Sequence, residues 1–335
     1  MRTQIDAKKM LEQHELGHAK KGLVWGVISG ATWGLDGVIW GMAYMFLPFA
    51  IESDVLKVII AVSVASAAMH DGFSGFWLFW YNLFTGRWKE YIRTLRTKPG
   101  MIVCLGALFG GPIAMTGYSA GIMLAGASYA LAVTAMYPAV GAILAVFILK
   151  EKIVPRVYIG IAMCILGAVV VNWTPPAGDA YPMFYLGMGL SLLATFGWGV
   201  EGVLAAYGMD MADPDVAIGI RQATSFVVYF VLILPVFAGT ALFFEAFTTG
   251  ALGYMALAGL MGAISYLAWY RAINMTGVGR AMAFNVTYAL WAIVFGYLLT
   301  DIEITTNLVV GALIITGGTI LVLANPKELL NLRKV

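Results

Sequence analysis

The sequence is poor in charge. Only 11% of its 335 residues are Asp, Glu, Lys or Arg, whereas 61% are hydrophobic. A soluble domain carries roughly 25% charged residues, so the composition excludes an ordinary soluble protein. The apolar residues form long runs instead of the ~10-residue alternating segments that are typical of a membrane β-barrel. The sequence therefore predicts an all-α polytopic membrane protein.

Residues that bind metals or act as nucleophiles are also scarce. The chain has two cysteines and three histidines, and Cys104 and Cys164 lie in separate apolar runs at no metal-ligand spacing. No HExxH, CxxC, GxSxG or GxxxxGK[ST] motif occurs, which argues against an intramembrane enzyme and against ATP hydrolysis. We therefore expect no catalytic residue, metal site, cofactor or nucleic-acid partner. An intramembrane enzyme is kept as the alternative from another functional class.

Apolar runs separated by charged residues or by Pro and Gly predict ten transmembrane helices. They cover residues 23–47, 55–84, 101–121, 126–149, 154–172, 183–207, 214–238, 249–272, 279–299 and 306–324. With the N-terminus inside, eighteen of the 20 Lys and Arg residues fall on one side. The positive-inside rule then predicts that both termini are cytoplasmic. The expected location is the cytoplasmic (inner) membrane of a bacterium.

The two halves of the chain match each other. A displacement of 151 residues lays Tyr137 on Tyr288, and one of 165 lays Trp33–Gly37 (WGLDG) on Trp198–Gly202 (WGVEG). Five spans per copy is an odd number, so the second copy would cross the membrane in the opposite sense, an arrangement typical of transporters. The predicted parts are a cytoplasmic N-terminal tail, two inverted five-helix repeats and a cytoplasmic C-terminal tail. Their boundaries are 1–21, 22–172, 183–324 and 325–335.

Polar residues inside the spans are the strongest indication of a site, because a charge at the bilayer centre costs ~2.5–3.5 kcal/mol. The candidates are Asp36, His70, Asp71, Glu201 and Arg221, with Gln222 and Asn285 as neutral partners. Glu201 is expected to bind substrate or a proton, the alternative being a structural pair with Arg221 or His70. His70 is either a hydrogen-bonded core residue or a proton site. We expect Arg221 to reach back to the cytoplasmic surface, and the role of Asp36 stays open.

Aromatic residues lie near these polar positions. They are Trp33, Tyr118, Tyr137, Trp198, Tyr266, Trp269, Tyr288 and Trp291. A carboxylate among Trp and Tyr rings suits an organic cation, because the ring quadrupole attracts a desolvated cation by roughly 2 kcal/mol. The alternative is that the rings form interfacial belts or simple packing contacts.

Several strings of the sequence resemble the drug/metabolite transporter superfamily, EamA-like, and most closely the lic-operon choline importers of bacteria. The resemblance covers residues 22–324. The strings that carry it are Met69-His70-Asp71, Gly111-Pro112-Ile113-Ala114-Met115, Ala135-Met136-Tyr137-Pro138, Trp198-Gly199-Val200-Glu201, Ile220-Arg221-Gln222-Ala223-Thr224-Ser225-Phe226, Ser265-Tyr266-Leu267-Ala268-Trp269-Tyr270 and Asn285-Val286-Thr287-Tyr288-Ala289-Leu290-Trp291.

The resemblance implies a secondary carrier that imports choline or a closely related organic amine through an aromatic pocket containing a buried glutamate. The implied substrate-binding residues are Trp33, His70, Tyr137, Trp198, Glu201, Gln222, Tyr266, Asn285, Tyr288 and Trp291. His70 and Glu201 are also the hypothetical sites of proton coupling, and membrane lipids are the expected surroundings. Asp36 departs from the pattern as an extra acid, which leaves the exact amine open. Export of amino acids, drugs or other metabolites is the alternative within the superfamily.

Overall fold

The protein is described by a computed structural model over residues 2–50, 55–125, 130, 133–172, 183–300 and 305–323. Within these residues every regular element is a helix. The α-helices are α1 Arg2–Ala43, α2 Leu56–Phe84, α3 Trp88–Leu95, α4 Lys98–Leu108, α5 Ala114–Ala125, α6 Tyr137–Leu144, α7 Pro155–Asn172, α8 Phe184–Met209, α9 Pro214–Val228, α10 Leu234–Val236, α11 Thr240–Glu245, α12 Ala251–Thr276, α13 Val278–Asn285, α14 Tyr288–Leu299 and α15 Thr306–Leu323.

Seven helical segments are long and apolar enough to cross a membrane. They are Gly17–Ala43, Leu56–Phe84, Lys98–Ala125, Phe184–Met209, Pro214–Val236, Ala251–Thr276 and Val278–Leu299. Shorter apolar helices at Tyr137–Leu149, Pro155–Val170 and Val309–Val322 lie within the fourth, fifth and tenth predicted spans. The protein is therefore a multi-pass helical membrane protein, while the ten-span inverted layout and the cytoplasmic termini remain predictions.

The predicted boundary between tail and first span is not a structural boundary. Helix α1 runs from Arg2 to Ala43 without a break at residue 22. The predicted C-terminal tail, 325–335, lies outside the described residues.

Glycine and proline interrupt the helices where the sequence pattern breaks. Gly110-Gly111-Pro112 lies in a π-helical turn, Phe109–Ile113, that joins α4 to α5. Proline has no N–H to donate within a helix, and such interruptions are common at functional sites. Gly277 separates α12 from α13 with φ 83°, a backbone conformation that residues with a Cβ rarely adopt.

Small residues let the central helices approach each other closely. On α1, a Cβ built on Gly22 would lie 2.5 Å from the Met275 Cβ, and one on Gly34 would lie 2.7 Å from the Trp291 Cβ. Helix α1 thereby packs against α12 and α14, while α5 packs on α8 and α7 on α15. Close packing of small residues is a main source of helix association in membranes, where the surrounding lipid is as apolar as the helix surface.

Candidate substrate-binding site

A cavity lies where α1, α8 and α12 meet the helix breaks before α6 and α14. Its lining residues come from both halves of the chain: Trp33, Tyr137, Trp198, Glu201, Ser265, Tyr266, Trp269, Asn285 and Tyr288. Its free volume is about 30 Å³, which is room for roughly two water molecules. In this conformation the cavity is contracted, and a larger ligand enters only if the lining side chains move apart.

Aromatic rings supply most of the cavity wall. The Trp33 and Tyr266 ring centroids are 5.2 Å apart, and those of Tyr137 and Trp198 are 6.0 Å apart. Tyr137 is the first residue of α6 and Tyr288 the first residue of α14, so each begins a helix after an interruption. The two tyrosines that match in the internal repeat thus occupy matching local positions.

A chain of hydrogen bonds fixes the polar side of the cavity. The Tyr137 hydroxyl donates to the Asn285 Oδ1 at 2.6 Å, and the Asn285 amide donates to the Ser29 Oγ at 2.8 Å. Ser265 donates to the Ser29 carbonyl at 2.9 Å. These bonds hold α1, α12 and the end of α13 in a fixed relation around the cavity.

Glu201 is the one carboxylate among the lining residues of the cavity. It accepts from the Arg221 Nε at 2.5 Å and from the Arg221 Nη2 at 3.1 Å, and from the Tyr270 hydroxyl at 3.3 Å. Glu201 and Arg221 are both 0% exposed. A two-point contact of this kind fixes the orientation of the carboxylate as well as its charge. The Arg221 guanidinium also lies 4.8 Å from the centre of the Tyr266 ring.

The network continues from Arg221 toward α1. The Asp71 carboxylate lies 3.4 Å from the Arg221 Nη1 and accepts from the Ser225 hydroxyl at 2.5 Å. On its other side, Asp71 lies 3.4 Å from the His70 Nδ1, and the His70 Nε2 lies 3.2 Å from the Asp36 Oδ2. Five buried ionisable side chains therefore form one continuous path through the interior.

Gln222 joins this network at its centre. Its amide nitrogen donates to the Asp71 Oδ1 at 3.4 Å, and its carbonyl oxygen accepts from Arg221. Since Gln222 is uncharged, it bridges the two ionised groups without changing the charge of the network.

The network has two matching acid–cation pairs. The same displacements that align the repeats lay Asp36 on Glu201 and His70 on Arg221. Asp36 on α1 contacts His70 on α2, and Glu201 on α8 contacts Arg221 on α9. The pairs differ chemically, because the arginine stays charged whereas the histidine can lose its proton.

The backbone of the π-helical turn Phe109–Ile113 packs directly against the buried polar side chains. A Cβ on Gly110 would lie 1.6 Å from the Glu201 Oε2, and one on Gly111 would lie 1.8 Å from the Ser225 Oγ. The Trp198 indole N–H donates to the Gly110 carbonyl at 3.2 Å. Glycine is thus required at both positions by the close approach of polar side chains to the backbone.

The structure gathers most of the residues that the sequence singled out. Seven of the ten predicted substrate-binding residues line the cavity: Trp33, Tyr137, Trp198, Glu201, Tyr266, Asn285 and Tyr288. His70, Gln222 and Asp36 are 0–1% exposed and belong to the adjacent network. The Asp36 carboxylate therefore faces His70 in the interior and not the membrane surface.

Two expectations need correction. Arg221 does not reach back to the surface, because it is 0% exposed and its guanidinium is bound by two carboxylates. Trp291 does not line the cavity. It lines a separate groove between α1, α14 and α15, together with residues such as Val27 and Ile320, and its Cβ packs over Gly34.

Two lining residues, Ser265 and Trp269, were not in the predicted substrate-binding set. The internal repeat offered a signal for Trp269, since the 151-residue displacement lays it on Tyr118, whose ring lies 5.2 Å from that of Trp198. Ser265 carries no such signal, and only the packing of α12 against α1 reveals it.

Among the described residues, no group of three or more His, Cys, Asp and Glu side chains is placed to hold a metal ion. The buried carboxylates instead face a guanidinium, an imidazole and hydroxyl groups. The arrangement suits the binding of an organic cation beside a charged network.

Comparison with known proteins agrees with the resemblance in the sequence. Residues 185–324 match the sequence model of the EamA-like transporter family. The chain is 29% identical over 225 residues to Protein LicB of Haemophilus influenzae, which covers 65% of this chain and 74% of LicB. A crystal structure that is 17% identical superposes with a TM-score of 0.67, covering 92% of this chain and 99% of that one. At 17% identity, the similarity to this crystal structure supports the fold alone.

The apolar helices, the match over the second half and the similarity to LicB lead to the same assignment. The chain is a multi-pass membrane protein whose residues 185–324 match the EamA-like transporter family of the drug/metabolite transporter superfamily.

Proposed function

We propose that this protein is a secondary carrier that imports choline or a closely related quaternary amine across the bacterial cytoplasmic membrane. The substrate cation occupies the cavity beside Glu201, with Trp33, Trp198, Tyr266 and Tyr288 as aromatic walls. The two halves of the chain, as inverted five-helix repeats, would move around this cavity to expose it to each side in turn.

The charge of the buried network carries this proposal. Three carboxylates, Asp36, Asp71 and Glu201, face one guanidinium and one imidazole. With all three carboxylates ionised and His70 protonated, one negative charge is left over within the described part of the network. A buried charge without a partner is costly, so the cavity next to Glu201 favours a ligand that brings one positive charge.

The lining selects the kind of cation. A quaternary ammonium has no N–H to donate, so it gains little from hydrogen-bond acceptors and much from aromatic faces. The cavity offers mainly aromatic faces, and the Glu201 oxygens already accept hydrogen bonds from Arg221 and Tyr270. Glu201 would therefore act on the substrate through its charge and not as a hydrogen-bond acceptor.

The membrane potential supports the proposed direction. An inside-negative potential favours cation entry by ~2.3 kcal/mol per charge per 100 mV. The small free volume indicates that binding needs side-chain movement, which ties occupancy of the site to the conformation of the carrier.

The test is uptake of labelled choline into proteoliposomes under an imposed inside-negative potential, with wild type and Glu201→Gln compared. We expect saturable uptake by wild type and a decrease of at least about tenfold in the variant, as a loss of ~1.4 kcal/mol of binding would cause. Glu245→Gln is the matched control, because Glu245 is exposed on α11. The elution profile in detergent verifies that each variant is folded.

Three outcomes separate the alternatives. No binding or uptake by folded wild type removes choline as substrate and calls for a panel of other amines. Efflux from preloaded vesicles without uptake favours the exporter alternative. Equal loss in Glu201→Gln and Glu245→Gln contradicts a specific role for Glu201.

A further inference from the structure

The indole N–H of Trp269 has no hydrogen-bond partner among the described residues, although it is buried. Trp269 is 5% exposed and lines the cavity. A buried donor that stays unpaired costs about 1–3 kcal/mol, and native proteins retain few of them. A donor of this kind in the wall of a binding cavity is explained if the ligand supplies the acceptor.

Other polar groups of the cavity wall are already engaged. The Trp198 indole N–H donates to the Gly110 carbonyl. Tyr137 donates to the Asn285 oxygen, and both Asn285 and Ser265 donate to Ser29. The Tyr288 hydroxyl is bonded to Thr134. Unlike these groups, the buried N–H of Trp269 is unpaired within the described residues, so it is open to an acceptor on a ligand.

The free donor and the counter-charge belong to residues that line the same cavity. A Cβ on Gly202 would lie 3.6 Å from the Trp269 Cζ2, and this ring carbon is two bonds from the indole nitrogen. Gly202 directly follows Glu201 on α8. Because Trp269 and Glu201 line this one small cavity, the cationic centre of a ligand and its acceptor are expected to be separated by only a few bonds.

We propose that Trp269 donates a hydrogen bond to the substrate, and that the substrate is a quaternary amine with an oxygen acceptor a few bonds from its nitrogen. The inference rests on the proposed function of the same cavity. Choline has this chemistry, because its hydroxyl oxygen is attached two carbons from the nitrogen. Propyltrimethylammonium, in which a methyl group replaces that hydroxyl, has the same charge and nearly the same size but no acceptor.

The experiment measures the binding of choline and of propyltrimethylammonium to purified wild type, Trp269→Phe and Trp198→Phe by calorimetry. The readout is the ratio of the two dissociation constants within each variant. A smaller aromatic ring weakens the binding of both ligands alike, so this effect does not change the ratio. We expect wild type to prefer choline roughly three- to tenfold, the worth of one neutral hydrogen bond. In Trp269→Phe, which keeps an aromatic ring but lacks the N–H, this preference falls to about one.

Trp198→Phe is the matched control, because it removes the same group from an indole whose N–H is already bonded to Gly110. Its affinity for both ligands can fall, but its ratio stays at the wild-type value.

The outcomes distinguish this inference from the function on which it rests. Equal binding of both ligands by wild type overturns the role of Trp269 and leaves the organic-cation carrier intact. The same result follows if Trp198→Phe loses the preference and Trp269→Phe keeps it. Failure of wild type to bind either ligand overturns the proposed function and this inference with it. If Trp269→Phe does not fold, equal binding of both ligands by wild type still overturns the inference.

Discussion

Arg271 on α12 donates hydrogen bonds to both carboxylate oxygens of Asp215 on α9. Its Nε lies 2.7 Å from Oδ1 and its Nη2 lies 2.6 Å from Oδ2. The Tyr81 hydroxyl bonds to both partners, and the Arg271 guanidinium stacks over the Trp25 ring at 4.4 Å. Helices α1, α2, α9 and α12 are thereby tied together at this point.

We predict that Asp215→Asn lowers the free energy of unfolding by about 3 kcal/mol, near the low end of the range for breaking a buried ion pair. The low end applies because Arg271 is 17% exposed while Asp215 is 4% exposed. Thermal unfolding of the detergent-solubilised protein measures this. Arg93→Gln is the control, since its pair with Glu90 is exposed and worth little. Equal shifts in both variants would contradict a structural role for the Arg271–Asp215 pair.

We predict that Gly110→Ala abolishes transport. The added methyl group would overlap the Glu201 carboxylate, with 1.6 Å to Oε2, so the carboxylate or the π-helical turn must shift. Overpacking of this kind costs about 1–3 kcal/mol. Gly106→Ala, on α4 just before this turn, is the matched control, because its Cβ would meet Leu204 at an ordinary 3.4 Å. Uptake and the unfolding midpoint are measured for both, and comparable uptake by the two variants would refute the close approach at Gly110.

We predict that Trp291→Leu changes the choline dissociation constant by less than about twofold, whereas Tyr288→Leu raises it about tenfold through the loss of an aromatic wall. The two residues lie one helical turn apart on α14, but only Tyr288 lines the cavity. Equilibrium binding to the purified variants measures the difference. A larger effect of Trp291→Leu than of Tyr288→Leu would return Trp291 to the cavity wall.

We predict that proton dependence of uptake, if the carrier couples to protons, is lost in His70→Gln. The two imidazole nitrogens face Asp36 and Asp71, and both contacts are hydrogen bonds only when both nitrogens carry a proton. Uptake at fixed voltage is therefore expected to rise with an inward proton gradient in wild type but not in His70→Gln. His18→Gln, at an exposed position of α1, serves as control. Wild-type uptake that is equal at all gradients would exclude this coupling.

The sequence predicted the membrane-embedded helices well, since hydrocarbon surroundings impose a strong and local requirement. Apolar runs of about twenty residues have few alternatives to a helix, and Gly110-Gly111-Pro112 interrupts its helix where the pattern indicated. The internal repeat placed Tyr137 and Tyr288 in matching positions. Short apolar helices such as Val309–Val322 fall below the length of a full span, so the count of ten spans stays a prediction.

Prediction from the sequence failed where a charged side chain could find its polar partners in more than one place. Arg221 lies close enough to a helix end that reaching for water was a reasonable expectation. The structure instead gives it Glu201 and Asp71 as partners, a choice that depends on α2, α8 and α9 meeting at one point. The groove that Trp291 lines could not be foreseen for a related reason, because its position near Tyr288 in sequence does not say which neighbouring helix its ring will contact.

By itself, the sequence determined that this protein is helical, lies in a membrane and contains repeated acid-bearing WGxDG and WGxEG segments, because these follow from local composition and spacing. Only the tertiary structure decided that Glu201 faces an aromatic cavity, that five ionisable groups share one buried network and that the Trp269 N–H has no partner within the described part of the chain. Those properties depend on distances between helices far apart in the chain, and such distances are set by how small residues allow the helices to pack.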